Sequence, residues 1–254
     1  MEKPGQNNAR ISTDFPEAAI AHVRMLDEQG KNCLSPAFVS ELTAHFRALQ
    51  ANENVKVVLL SGLPGIFCGG ADLDTLRQLT ENRVKPADIV LPKTILDIPA
   101  PVIAAMEGHA VGGGFALGLC ADIVLLAEES RYGCSFMNMG FTPGMGMTRL
   151  LEHYMAPAIA HELQYTGANV RGSELKGKTN FNYILPKKEL MPAAMALAQA
   201  IAEKPAHSLR LLKKYLAMSR RKMFEETYAI ESMMHELSFN RAGILKTIEE
   251  NYVR

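Results

Sequence analysis

Hydrophobic positions follow two patterns along the 254 residues. In the first half, short apolar runs of strand type alternate with stretches of helical spacing. Residues 20–26 read as a strand. Ser35-Pro36 then opens a helix that carries Phe38, Leu42, Phe46 and Leu49 on one face. Residues 55–61 (VKVVLLS) form a β-branched run, and residues 101–106 (PVIAAM) are a second strand candidate. The Gly112-Gly113-Gly114 turn leads into residues 115–120, and residues 123–127 make another apolar strand. This order predicts an α/β fold with largely buried strands. From Ala158 onward the apolar residues recur at helical spacing, which predicts helices over residues 191–202, 205–218 and 224–239. We expect a core over residues 1–195 and a C-terminal helical region over residues 196–254, packed on that core or on a neighbouring subunit.

Charge and composition narrow the function classes. Lys+Arg 27 balances Asp+Glu 27, so there is no general attraction to nucleic acid or to an anionic membrane. Cys33, Cys68, Cys120 and Cys134 show neither a CxxC pair nor zinc-ligand spacing and read as reduced, mostly buried thiols. The N-terminus is polar, and Glu107 and Asp122 bracket the most apolar stretch, so neither a signal peptide nor a membrane span is expected. The sequence thus predicts a cytoplasmic protein without a metal site.

Candidate chemistry begins with two glycine clusters. Gly65-Ile66-Phe67-Cys68-Gly69-Gly70-Ala71-Asp72 follows the 55–61 run, and Gly108-His109-Ala110-Val111-Gly112-Gly113-Gly114 follows the 101–106 run. Such turns let backbone approach a ligand closely and free N–H groups to point at it. Two N–H groups aimed at one carbonyl oxygen make an oxyanion hole. Each cluster alone is equally compatible with a tight turn before a helix.

Taken with Tyr132-Gly133, Thr142-Pro143-Gly144-Met145-Gly146, Tyr165-Thr166-Gly167-Ala168 and Ile184-Leu185-Pro186, these clusters resemble the enoyl-CoA hydratase/isomerase family, the crotonases. The resemblance covers residues 19–190. It implies a spiral of ββα units, C-terminal helices that build a homotrimer or a dimer of trimers, and backbone N–H groups of Gly69 and Gly113 as the oxyanion hole. The implied substrate is a thioester on coenzyme A or on the phosphopantetheine of an acyl carrier protein.

Departures from the family pattern refine this expectation. Where family hydratases carry two glutamates, this chain has Ala116 and Phe136, neither of which can transfer a proton. No carboxylate occurs between Arg131 and Leu151. With Phe115, Phe136, Met137, Met139 and Met145, the acyl pocket is expected to be dry. Such a pocket suits loss of CO₂, which generates an enolate without a strong base. The chain resembles the decarboxylating members of polyketide β-branching cassettes, which carry a Lys in the segment covering the acyl site and a His in the last long helix. Lys85 and His235 match those positions, and Arg83 competes with Lys85. The expectation is decarboxylation of a 3-methylglutaconyl thioester to a 3-methylcrotonyl thioester, with no metal or redox cofactor. Two rivals remain: an enoyl-thioester isomerase with His235 as base, and an inactive crotonase serving as a scaffold.

Overall fold

The computed structural model describes residues 9–84 and 90–252. With strands and helices numbered in chain order, β1 (Ile11–Glu17), β2 (Ile20–Met25), β3 (Val57–Ser61), β5 (Val102–Met106), β7 (Ile123–Ala127) and β10 (Tyr183–Leu185) form a six-stranded sheet in that order. A second sheet runs β4 (Ile66–Cys68), β6 (His109–Val111), β8 (Arg131–Gly133), β9 (Asn169–Arg171). Among the described strands only β1 with β2 and β8 with β9 pair antiparallel. Three times in succession the chain lays a strand in the first sheet and the next strand in the second. These are the stacked turns of a spiral, as the resemblance implied.

The helices are α1 (Pro36–Ala51), α2 (Leu73–Thr80), α3 (Leu91–Leu96), α4 (Gly113–Leu119), α5 (Met147–Tyr154), α6 (Pro157–Thr166), α7 (Gly172–Leu175), α8 (Lys187–Ala202), α9 (Ala206–Phe239) and α10 (Ile244–Asn251). The central strands are apolar on both faces because both are covered. Val58, Leu60, Val102 and Ala104 face the main core with Phe38, Leu42 and Phe46 of α1. Val57, Leu59, Ile103 and Leu125 face Leu190, Ala194 and Ala198 of α8. Residue 195, the expected end of the core, therefore lies inside a helix that packs on the sheet, and the helical region leaves the sheet only after Ala202.

Two expectations for the second half are corrected. Residues 205–218 and 224–239 belong to one continuous helix, α9, rather than two. The polar run Ser219-Arg220-Arg221-Lys222 reads as a break, yet Arg220 is buried and ion-paired to Asp122, which also holds buried Lys213. Asp122 accepts from the Val102 N–H as well, at 2.8 Å, so the two cations of α9 are tied to the sheet. Strands β9 and β10, three residues each, interrupt the helical regime and are too short to show a period.

Cys68, Cys120 and Cys134 are buried and Cys33 is half-buried; all four are free thiols. Among the described residues no helix is long and apolar enough to cross a membrane.

Candidate functional site

Parallel pairing of β4 with β6 aligns Cys68 with Ala110, so the two glycine turns leave the sheet side by side. Gly70 has φ +79, and a Cβ there would stand 2.7 Å from the Val111 carbonyl oxygen and 3.5 Å from the Gly113 nitrogen. The turns are packed backbone to backbone. Both open into one cavity of about 650 Å³ that Gly69 and Gly113 line.

The two expected oxyanion donors differ in freedom. The Gly113 N–H is at the first position of α4, among the donors a helix leaves without an internal partner. The Gly69 N–H points at the Lys31 carbonyl, 3.2 Å away, so an arriving thioester oxygen must share or displace that bond. Lys31 and Asn32 are both left-handed, with φ 53 and 51. The buried Asn32 side chain fixes this turn by donating to the carbonyls of Met25 (3.1 Å) and Phe67 (3.0 Å) and accepting from the Asp27 N–H (2.8 Å). Nothing in the residue pattern signals the Lys31 contact, which is pure backbone.

Phe136, Met139 and Met145 lie on the cavity wall, but Phe115, Ala116 and Met137 do not. Phe115 is turned into the core against Tyr132 and Phe181, with ring centroids 5.6 and 6.3 Å away. Ala116 is wholly buried, and its short methyl does not reach the cavity. Met137 opens a 3-10 turn over Met137–Met139 and is 42% exposed. These three are corrections to the expected pocket: Phe115 and Met137 differ in side-chain direction, and Ala116 in reach.

His235 reaches the cavity from α9. Its Nε2 lies 2.8 Å from the Thr142 carbonyl, which can only accept, so Nε2 carries the proton. Its Nδ1 is buried and has no hydrogen-bond partner among the described residues. The rings of Phe141 and Phe239 stand edge-on, at 6.1 and 5.3 Å. Burial lowers the His235 pKa, opposed by the carbonyls of Thr142 and Pro143, so the resting ring is neutral. Glu231, one turn earlier, does not pair with it. It accepts from the Gly146 N–H (2.6 Å), the Thr148 N–H (2.9 Å) and the Thr148 hydroxyl (2.6 Å), tying the start of α5 to α9. Burial pushes its carboxyl up while these donors pull it down.

Lys85 lies outside the described residues. Its competitor Arg83 is 62% exposed and paired with Glu81. The helix ahead of both, α2, is capped by Asp72, whose Oδ1 accepts from the Thr75 N–H at 2.6 Å. It is strapped to the C-terminal helices: Arg77 donates to Glu249 at 2.8 and 3.1 Å, and Asn82 donates to Asn240 at 3.2 Å. Tyr252 donates to the Ala71 carbonyl at 3.2 Å and, with Asn251, lines the cavity. Sequence reasoning missed this closing segment, since no motif marks it. Among the described residues no cluster of three or more His, Cys, Asp or Glu could hold a metal ion.

Comparison with known proteins matches this architecture. The family model for enoyl-CoA hydratase/isomerase matches residues 16–251. Bacillaene synthase decarboxylase PksI of Bacillus subtilis is 36% identical over 236 residues, covering 93% of this chain and 95% of that protein. Human enoyl-CoA hydratase domain-containing protein 2, mitochondrial, is 35% identical and covers 74% of this chain and 66% of its own length. Among solved structures, one from a dehydratase/decarboxylase enzyme couple involved in polyketide β-branching superposes with TM-score 0.92 at 36% identity, covering 96% of this chain and 100% of that one. The ECH2 decarboxylase domain of CurF from Lyngbya majuscula superposes with TM-score 0.89 at 34% identity, with the same coverage. Paired glycine turns on one cavity, a family match along nearly the whole chain and relatives this similar lead to one statement: the chain belongs to the enoyl-CoA hydratase/isomerase family.

Proposed function

We propose that this protein is a decarboxylase of polyketide β-branching that converts a 3-methylglutaconyl thioester to a 3-methylcrotonyl thioester. One observation carries the reading. The cavity joins two glycine turns to a buried, neutral imidazole, with no carboxylate at 116 or 136. Among the described residues the carboxylate that lines it, Asp72, is engaged in capping α2.

In this reading the Gly113 and Gly69 N–H groups receive the thioester oxygen as it gains charge. The electron pair of the broken bond to CO₂ runs through the conjugated double bond into that oxygen. Lys85 binds the departing carboxylate, and His235 holds it or returns a proton to carbon. The reaction needs no metal or redox cofactor. The substrate arrives on an acyl carrier protein or on coenzyme A, and the enzyme assembles as a homotrimer or a dimer of trimers. Incubation with 3-methylglutaconyl-pantetheine, coenzyme A and carrier-protein thioesters, with CO₂ followed directly, tests the reading. No release from any of the three would overturn it.

A neutral His235 on the cavity wall, its Nδ1 without a hydrogen-bond partner among the described residues, favours a second reading, an enoyl-thioester isomerase with His235 as base. Exchange of α- or γ-hydrogens from a neutral enoyl thioester, without CO₂ release from the acidic one, would select it.

A further inference from the structure

The cavity has two unlike ends on either side of the glycine turns. Leu76, Phe141, His235 and Phe239 wall one end and are buried, whereas Gln29, Lys31, His109 and Asn169 form a rim that is exposed. An acyl group directed at the buried end sends its thioester arm out past that rim. Strand β6 marks the route. Ile66 and His109 are register partners on β4 and β6, and His109, Val111 and Gly113 line the cavity while Ala110 does not. At strand spacing, the run from His109 to Gly113 spans at most about 13 Å. Pantetheine carries its second amide, which joins β-alanine to the pantoyl group, at a comparable distance from the thioester.

The His109 ring is prepared for an uncharged acceptor. Its Nδ1 accepts from the Arg131 N–H at 2.9 Å, so Nδ1 holds a lone pair and the proton of the neutral ring sits on Nε2. Arg131 opens β8, and its guanidinium donates to the Asn169 carbonyl at 3.2 Å, which ties the residue that anchors the ring to β9. Burial, then the Lys187 and Arg131 charges, lower the His109 pKa, so the ring is uncharged at neutral pH. Within the described residues its Nε2–H makes no hydrogen bond. A fixed, neutral donor suits an amide carbonyl, whereas a phosphate is better served by a charged one. We propose that His109 binds the thioester arm by donating Nε2–H to the carbonyl of the second pantetheine amide. The contact rests on the decarboxylase reading for the direction in which the substrate lies, and adds to it how the enzyme tells a pantetheine thioester from a shorter one. This amide precedes the phosphate, so the contact is common to coenzyme A and to carrier-protein substrates. Anchoring the arm at the rim sets how far the thioester travels along β6 and brings its carbonyl to Gly69 and Gly113.

Titration calorimetry with unreactive probes tests the contact apart from turnover. 3-Methylglutaryl-pantetheine carries both amides and 3-methylglutaryl-N-acetylcysteamine only the first, and neither has the double bond that would accept the electrons of decarboxylation. His109→Ala should weaken binding of the pantetheine probe roughly three- to tenfold, the worth of one hydrogen bond, and leave the N-acetylcysteamine probe unchanged. His109→Gln, which keeps an N–H donor, should recover part of the loss. Equal weakening of both probes would show that His109 only supports the start of β8. An unchanged affinity for both, or no binding of the pantetheine probe to the parent protein, would show that the ring does not meet the arm. Any of these results overturns the proposal. The 3-methylglutaryl thioesters of coenzyme A and of a carrier protein should lose the same factor in His109→Ala. A loss confined to the coenzyme A thioester would put the contact on its nucleotide phosphates, and one confined to the carrier protein on that protein's surface, and either would also overturn it. Absence of CO₂ release from every glutaconyl thioester would instead remove the decarboxylase reading, whatever the probe affinities show.

Discussion

Gly144 lies directly under the His235 imidazole: a Cβ on it would stand 2.2 Å from Cε1 and 2.9 Å from Nε2 of the ring. The absence of a side chain at 144 is what lets the ring settle on the Thr142 carbonyl. Gly144→Ala should displace the ring and approach the loss caused by removing it, on the order of a hundredfold or more in kcat. Near-native turnover in a variant that melts like the parent would refute this.

Lys85 and His235 are expected to act on one carboxylate. Leaving a buried anion unpaired costs about 3–5 kcal/mol, so Lys85→Ala should slow turnover on the order of a hundredfold to several thousandfold. Lys85→Arg keeps the charge with a different shape and should rescue only in part. The double variant Lys85→Ala/His235→Ala should be little worse than the poorer single one. Full additivity of the two losses would show that the residues serve separate groups.

Hydration should be absent. With Ala116 and Phe136 in place of two proton-transfer groups, incubation with crotonyl thioesters should yield no 3-hydroxyacyl product above the uncatalysed rate. Chromatographic detection of that product would contradict the proposed division of labour in the site.

Two ion-pair sites should differ sharply in weight. Asp122 faces Lys213 and Arg220, whose side chains are 2% and 8% exposed, whereas Arg77 and Glu249 are 44% and 41% exposed. Asp122→Ala strands two buried cations and should cost about 3–5 kcal/mol in urea unfolding. Arg77→Ala should cost about 1 kcal/mol or less. Equal effects would mean that Asp122 is better solvated than its surroundings indicate.

Assembly should follow from the outer face of α9. Leu211, Leu212, Tyr215 and Leu216 are 57%, 55%, 73% and 59% exposed, an apolar face of the kind that marks an interface. Light scattering should give a trimer or a dimer of trimers. A monomer at micromolar concentration would reject this.

What the sequence made legible follows from how each signal is produced. Strands β3, β5 and β7 were readable because burial on both faces makes them continuously apolar. Strands β4, β6, β8 and β9 have three residues each and produce no period. The glycine turns were legible because only glycine tolerates the approach of Gly114 to Cys68, where a Cβ would stand 2.2 Å from the carbonyl oxygen. Phe115 and Met137 went astray because apolar character says nothing about direction. The Lys31 carbonyl and Tyr252 join the site through long-range folding, which a linear pattern does not encode.

The unbroken length of α9 has a mechanical consequence. One rod is bolted to the sheet near its middle by Arg220 on Asp122, and about four turns later it presents His235 to the cavity. The rod is clamped again at Glu231, one turn before the imidazole, so the ring is aimed by two fixed points, Asp122 and the start of α5. Because the outer face of the same rod is apolar, a neighbouring subunit leaning on Leu211 and Tyr215 would calibrate the aim of the catalytic ring from outside the fold.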